Sequence, residues 1–506
     1  MNLVAPALAR TSSTVLLTWD RPSPEVTSYQ VFCDDNFAGE TSRLCFTVKY
    51  LPPDSTHRFT VRSRRRLGQF SESCAPVTAT TKPLGAIIDV RVRGAVGDGV
   101  TRDTAAVQRA IDECPAGGTV LIPRGVYLVG HLELKGDMTL DLAAGATLQF
   151  LGRGEGGYRP REEPLPGPDG DVPVPCGALI TAQRAHNLTI TGDGLIRANG
   201  ETWWPHANDF RPFVIEFVDC RDVFMRGITI EDPPKWNTHV VYVDRGVFSD
   251  LTFQKRSTAS GTNGDGLNPD SSRDILIVGC TFANQDDSIA IKSGRVLPNQ
   301  PRRQRSCENI TVRDCVMDGS LMPRGRPLGL AIGSESCGGI RHILIRDCEF
   351  RNAASLANIK TNRERLGGVI EDVRIEDCVY TNTIFRDEPW NRAPISVDAY
   401  YYENVGSPDV AEPLTPATPR LRDIHFKNIV IDNPNGRFMW LCGFLQLPLG
   451  GITFENVSGR ARYGLHLQNV DGLRFNDVNI TALEGPPVVA INARNVTGTS
   501  APSLQP

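Results

Sequence analysis

The sequence predicts an all-β protein: a parallel β-helix, or solenoid of stacked coils, preceded by a small β-sandwich. Three observations predict it. One nine-residue template recurs, opening at Asp222-Val223-Phe224-Met225, Asp274-Ile275-Leu276-Ile277, Asn309-Ile310-Thr311-Val312, His342-Ile343-Leu344-Ile345, Asp372-Val373-Arg374-Ile375 and Asp423-Ile424-His425-Phe426, with steps of 35, 33 and 30 residues between four consecutive copies. Each copy alternates apolar and polar residues as a strand does, then runs through a turn-like pair into a second short apolar stretch, as in Arg313-Asp314-Cys315-Val316-Met317. Short strands at a coil period of about 20–40 residues, without helices between them, mark a solenoid whose coils bury their inward faces only by stacking. Finally, 47 glycines and 36 prolines among 506 residues call for many turns and few long helices.

Residues 1–82 read as a separate module. Val15 to Trp19, Thr27 to Phe32 and His57 to Arg62 alternate as strands between Pro, Asp and Gly turns. The order Trp19, Tyr29, Leu51 and then a strand near Thr56 resembles a fibronectin type III sandwich, with His57 where that fold usually places a tyrosine. Such a module is expected to space or dock, not to catalyse. The linker, Ser71 to Leu84, ends by residue 87, and the solenoid is placed at 88–506.

Gly94 to Gly99 lacks both GxGxxG and a P-loop lysine, so it reads as a tight turn before a capping helix. Asp103 or Thr104 would cap that helix, with Ala106, Ala110 and Ile111 on its inner face. Later template copies begin near Ile452 and Leu473. Cys220, Cys280, Cys315, Cys348 and Cys378 recur in similar settings and no CxxC occurs, so they read as stacked small hydrophobes, not a disulfide or zinc framework. Sequons such as those at Asn309 and Asn479 fall on the template and read as repeat positions. A formal net charge of −4 argues against general nucleic-acid binding. No apolar run is long enough to span a membrane. Met1 to Ala9 lacks a basic segment followed by a long apolar core, the expectation for a cytoplasmic chain unless a leader has been removed, in which case a periplasmic or secreted one.

The chemistry is expected at Gly264 to Asp270 and Gln285 to Gly294, where Asp270, Asp286 and Asp287 fall within eighteen residues. The apolar strand Asp274 to Phe282 lies between them and returns the chain beside its start. Carboxylates crowded together repel, and their pKa values separate, which is what acid/base catalysis needs.

Residues from about 88 to 495 resemble glycoside hydrolase family 28, the polygalacturonases. The resemblance rests on Gly94 to Gly99 with Asp103-Thr104, on Pro234 to His239, on Asn268-Pro269-Asp270, on Asp286-Asp287 with Ile289 to Gly294, and on Ile359 to Arg363. It implies a right-handed parallel β-helix that hydrolyses galacturonate-containing pectic poly- or oligosaccharide. It places the catalytic trio at Asp270, Asp286 and Asp287, with Asp286 the general acid and Asp270 and Asp287 activating water, and the carboxylate-binding lysine at Lys360. Lys292, Arg363 and Arg365 are read as sugar-carboxylate ligands or as solvated turn charges, His239 as a substrate contact, and Tyr401 as lining the groove or stacked in the core. An acid and a base flanking a water stand about 6.5–9.5 Å apart in inverting enzymes, a separation that residues on neighbouring coils can reach. No cofactor or metal is called for, and nothing in the sequence speaks to oligomeric state.

Two departures stand out. Leu328 occupies the place of the family's histidine in Pro327-Leu328-Gly329-Leu330-Ala331-Ile332-Gly333-Ser334, and Asn358 that of its arginine. A decorated or mixed pectic substrate, rhamnogalacturonan among them, becomes more credible than plain galacturonan. Polar insertions at Phe150 to Cys176, Arg295 to Cys307 and Asp318 to Pro327 are expected to wall the groove and favour exo action. A calcium-dependent eliminase and a non-catalytic carbohydrate-binding solenoid are the competing readings.

Overall fold

The computed structural model describes residues 1–158, 177–294, 305–363, 367–384, 393–401 and 406–500, apart from 24, 67, 208 and 417. Most of the insertions at 150–176 and 295–307 therefore lie outside the described residues.

The first eighty residues form two antiparallel sheets. Leu3–Val4, Val15–Trp19 and Cys45–Val48 make one; Asn36–Thr41, Val26–Cys33, Thr56–Arg65 and Val77–Thr80 make the other. The strand Val15–Trp19 is buried along its whole length because it serves two cores. Val15, Leu17 and Trp19 point into the sandwich, while Leu16 packs with Ala9 and Cys45 against Phe224, Val247 and Val278 of the solenoid. Polar contacts lock the same seam. Asp314 accepts from the Leu44 amide at 2.9 Å, Thr47 donates to Asp250 at 2.7 Å, and Arg313 donates to the Trp19 carbonyl at 2.7 Å.

From Ile87 onward, strands stack in parallel as a right-handed β-helix. Successive coils pair residue for residue: Ile275 lies beside Ile310, Ile310 beside Ile343, and Ile343 beside Val373. The inward residues form one continuous apolar core, with Phe253 stacked on Phe282 at 5.0 Å and Phe426, Phe454 and Phe475 stacked in turn. The five template cysteines are buried and free, as small hydrophobes in that core.

The template's opening residue has a backbone reason. Asp222, Asp274, Asn309, His342, Asp372 and Asp423 all adopt left-handed conformations, with φ between 48° and 58°. A second left-handed corner stands five residues after each of these, at Gly227, Gly279, Asp314, Asp347, Asp377 and Asn428. Asp and Asn tolerate this region and apolar residues rarely do, so the recurring Asp and Asn mark the bends. Asn309, which opens one of the sequons, is such a corner.

The helix Thr104–Glu113 closes the N-terminal end of the core with Val107, Ala110 and Ile111; Ala106 packs only partly buried. Asp103 stands at the cap position but turns its carboxylate to the amides of Val96 and Gly97, tying down the glycine-rich turn. Among the described residues no helix is long and apolar enough to cross a membrane.

The corner explanation is testable at Asp274, an exposed left-handed residue (φ 57°). Asp274→Ile should lower stability by about 1–2 kcal/mol, whereas Asp274→Gly should lie near wild type. Urea unfolding midpoints decide it: equal midpoints for the two variants would show that backbone conformation is not what selects the residue.

Candidate active site

One of the three faces of the solenoid carries the site. Its rungs include Phe213–Val218, Thr238–Val241, Leu267–Asp270, Asp286–Ile291, Pro327–Gly333, Ala357–Lys360 and Ile395–Asp398. Leu267 pairs with Ile289, so one coil here is 22 residues long. Asp265 and Asp287 each stand two residues before that pair and are therefore neighbours on adjacent coils. The Gly266 amide donates to the Asp287 carbonyl at 2.9 Å and fixes the match.

Asp286 precedes Asp287 in a distorted stretch. The register against Pro327–Gly333 slips on both sides of Asp287, and Asp286 has φ 107°, a conformation that side-chain-bearing residues rarely adopt. Irregularity of this kind re-aims side chains: Asp265, Asp286 and Asp287 each bring one carboxyl oxygen within 4.8 Å of the others. Asn268 donates to Asp265 at 2.9 Å, and Asn284 laces the backbone with bonds to the carbonyls of Gly264, Asp286 and Asp287.

Of the expected trio, Asp286 and Asp287 lie together, and the carboxyl that adjoins them is that of Asp265, not Asp270. Asp270 lies at the far end of its strand, bridged to Lys292. It accepts from Ser271 at 2.9 Å and faces His239 Nε2 at 3.5 Å. His239 is not a surface contact but is fully buried between Asp270 and Glu216, whose carboxylate is 2.8 Å from Nδ1. Burial works against charge on this imidazole, yet its hydrogen bonds to Asp270 and Glu216 leave its pKa raised. The pairing of Leu267 with Ile289 sets this coil at 22 residues, and the residue one such coil before Asp287 is Asp265, not Asp270.

The cations form ion pairs within the protein. Lys360 donates to Asp287 at 2.8 Å and is buried with it, and Lys292 donates to Glu335 at 2.8 Å with its ammonium 5.0 Å from the Trp236 ring. Burial opposes both charges. Asp287 and Tyr401 outweigh it for Lys360, and Glu335, Asp265 and Asp287 outweigh it for Lys292, so both pKa values rise. Arg363 is committed to Glu412 at 2.8 Å and to the Pro413 carbonyl, anchoring a neighbouring loop. Arg365 lies outside the described residues. Tyr401 is half-buried, its ring 4.8 Å from the Lys360 ammonium, while Tyr400 takes the core position.

Burial raises Asp286 to about 6, reinforced by the charge of Asp287, while Lys360 and Lys292 restrain the shift. Asp265 is pushed well above the usual carboxylate range by burial, then by Asp286 and Asp287. Asp265 and Asp287 are each only 3% exposed, whereas Asp286 is half-buried and opens outward. Leu328 follows Pro327, which pairs with Asp286, and precedes Gly329, which pairs with Asp287. Asn358 is buried one coil further on, two residues before Lys360.

A right-handed β-helix with a carboxylate pair, one member raised to about 6, describes a solenoid enzyme of acid/base chemistry acting on an extended chain. The profile of glycosyl hydrolases family 28 matches residues 115–462, and that of "Rhamnogalacturonase A/epimerase, pectate lyase-like" matches 87–140. A probable polygalacturonase of Vitis vinifera is 30% identical over 383 residues, 72% of each chain. An exo-poly-alpha-D-galacturonosidase of Dickeya chrysanthemi is 23% identical across 86% of this chain and 82% of its own. The solved family 28 exopolygalacturonase of Yersinia enterocolitica superposes with TM-score 0.80 at 20% identity, covering 100% of this chain and 99% of that one. This chain belongs to glycosyl hydrolases family 28 and is a glycoside hydrolase.

Because the Lys360 ammonium holds Asp286 down, Lys360→Met should move the Asp286 titration above about 6. Infrared difference spectroscopy of the protonated carboxyl band, followed against pH, measures this. A titration unmoved by the substitution would show that the ammonium is not felt at Asp286.

Proposed function

We propose that the protein is an exo-acting, inverting hydrolase of galacturonate-containing pectic polysaccharide or oligosaccharide. The observation that carries the reading is the division of labour among three adjoining carboxyls. Asp286 alone opens outward and is raised to about 6, so it holds a proton in mildly acidic solution and can give it to the glycosidic oxygen. Asp265 and Asp287 are almost wholly buried, and Lys360 pins Asp287. They reach the anomeric carbon only through a water, which both hold by hydrogen bonds and whose proton Asp287, paired with Lys360, accepts. Attack by that water, opposite the departing oxygen, inverts the configuration. The cluster is tighter than the roughly 6.5–9.5 Å of an acid and base flanking a water, since two of its members are consecutive and the third is one coil away. The burial of Asp265 and Asp287 is what argues against direct nucleophilic attack.

The pectic substrate and the exo mode are supported by the names of the relatives, polygalacturonases and exopolygalacturonases among them. Leucine at 328 supplies neither charge nor donor beside the Asp286–Asp287 pair, and Asn358 supplies no cation. Lys360 and Lys292 are already engaged with carboxylates. This favours a neutral residue or decoration near the scissile bond. The same two ammonium groups within the carboxylate cluster repel a divalent cation, which disfavours calcium-dependent elimination.

Product analysis on polygalacturonate, rhamnogalacturonan and short oligouronides should show monomer or dimer from the first time point, and proton NMR should show the β-anomer released first from an α-linked substrate. A ladder of intermediates overturns exo action; first release of the α-anomer overturns inversion. Activity should fall as pH rises through about 6, where Asp286 loses its proton. Asp286→Asn and Asp287→Asn should each cost about 10²–10⁴-fold in kcat with the fold intact, and Asp270→Asn should cost less than either. Leu328→His combined with Asn358→Arg should shift kcat/KM toward undecorated polygalacturonate.

A further inference from the structure

A second cleft, of about 800 Å³, lies between the sandwich and the solenoid, on a different face from the carboxylate cluster. One wall is the Thr11–Thr14 and Lys49–Leu51 segments of the sandwich; the floor is the outer side of the sheet formed by Gly118–Ile122, Met138–Leu142, His186–Gly192 and Arg221–Arg226. The floor is a ladder of hydroxyls. Thr119 and Thr139, both half-buried, stand side by side on successive strands, and Thr189, buried, continues the row. At the wall, Tyr50 is 93% exposed and held at φ 63° on a tight turn.

Arg226 gives the cleft its chemistry. Its side chain is 5% exposed, its Nε has no hydrogen-bond partner among the described residues, and the two cleft carboxyls that face it, Asp193 at 4.0 Å and the half-buried Asp141, make no bidentate pair with it. Asp193 is already neutralised by Lys49, which donates to both its oxygens at 3.0 and 2.9 Å. A desolvated guanidinium without a bidentate partner is costly unless something supplies one. A carboxylate on a hydroxyl-rich body fits what surrounds it: the fork of Arg226 for the acid, the threonine ladder for the hydroxyls, and the exposed Tyr50 ring for the apolar face of a sugar.

We propose that this cleft is a second, non-catalytic glycan site that takes an acidic oligosaccharide, with a uronate carboxylate on Arg226. Of the function proposed above it uses only the substrate class, and its position away from the carboxylate cluster lets the enzyme hold the polymer while the groove works on an end.

The test uses the full chain carrying Asp286→Asn, which keeps ligand intact, titrated with trigalacturonate by isothermal calorimetry. Two sites are expected. Adding Arg226→Met should weaken one of them at least about tenfold, and adding Tyr50→Ala, at an exposed position that cannot endanger the fold, should weaken the same one. One site only, or two sites untouched by both substitutions, overturns the proposal. So does equal binding of neutral galactotriose at the Arg226-dependent site, which would make it a neutral-glycan cleft. If Arg226→Met does not fold, the Tyr50→Ala titration decides. Arg226→Met in the otherwise wild-type chain should leave kcat/KM on digalacturonate unchanged. A wild type inactive on every uronide but still binding trigalacturonate through Arg226 would overturn the hydrolase reading and leave this one standing.

Discussion

The architecture depends on two left-handed corners in each coil. At Asp274, Asn309, His342 and Asp372 the chain enters one face, and at Gly279, Asp314, Asp347 and Asp377 it leaves for the next. Each corner costs an ordinary residue about 1–2 kcal/mol, and Asp, Asn and Gly reduce that cost. With the bends in place, every strand falls beside the matching strand of the next coil, and inward residues of like size stack on one another. The cysteine positions and the phenylalanine stacks follow from this regularity, because identical corners give identical neighbours.

The same stacking makes the chemistry costly to build. Asp265, Asp286 and Asp287 crowd together with Glu335 nearby, and among the described residues Lys292 and Lys360 pair with them. Full ionisation would leave excess negative charge where water is scarce. The cluster answers by keeping protons: burial and mutual repulsion raise Asp265 and Asp286, while Asp287 and Glu335 are matched by the two ammonium groups. The strained φ of Asp286 belongs to the same account. A regular strand would send consecutive side chains to opposite faces; the slipped register lets both aspartates serve one groove.

The sandwich is more than an appendage on a tether. Its strand Val15–Trp19 is shared between two hydrophobic clusters, and buried Asp314, raised to about 6 by desolvation, joins the Leu44 amide across the seam. An interface that is both apolar and hydrogen-bonded favours a fixed mutual position. That in turn gives the second cleft a lasting shape.

The sequence by itself determined the solenoid, the sandwich, the sequence interval that carries the chemistry and the Asp286–Asp287 pair. These follow from local signals: period-2 apolarity, repeated corner residues, and adjacent carboxylates beside glycine and asparagine. The tertiary structure decided which third carboxylate joins them. Asp265 and Asp270 differ by five residues and look alike in sequence, but the pairing of Leu267 with Ile289 puts only Asp265 beside Asp287. It also decided that Lys360, Lys292 and Arg363 are already spoken for, and that His239 is buried between acids. Pairings between coils depend on coil length and on the two register slips around Asp287, and no local pattern of residues reports either of them.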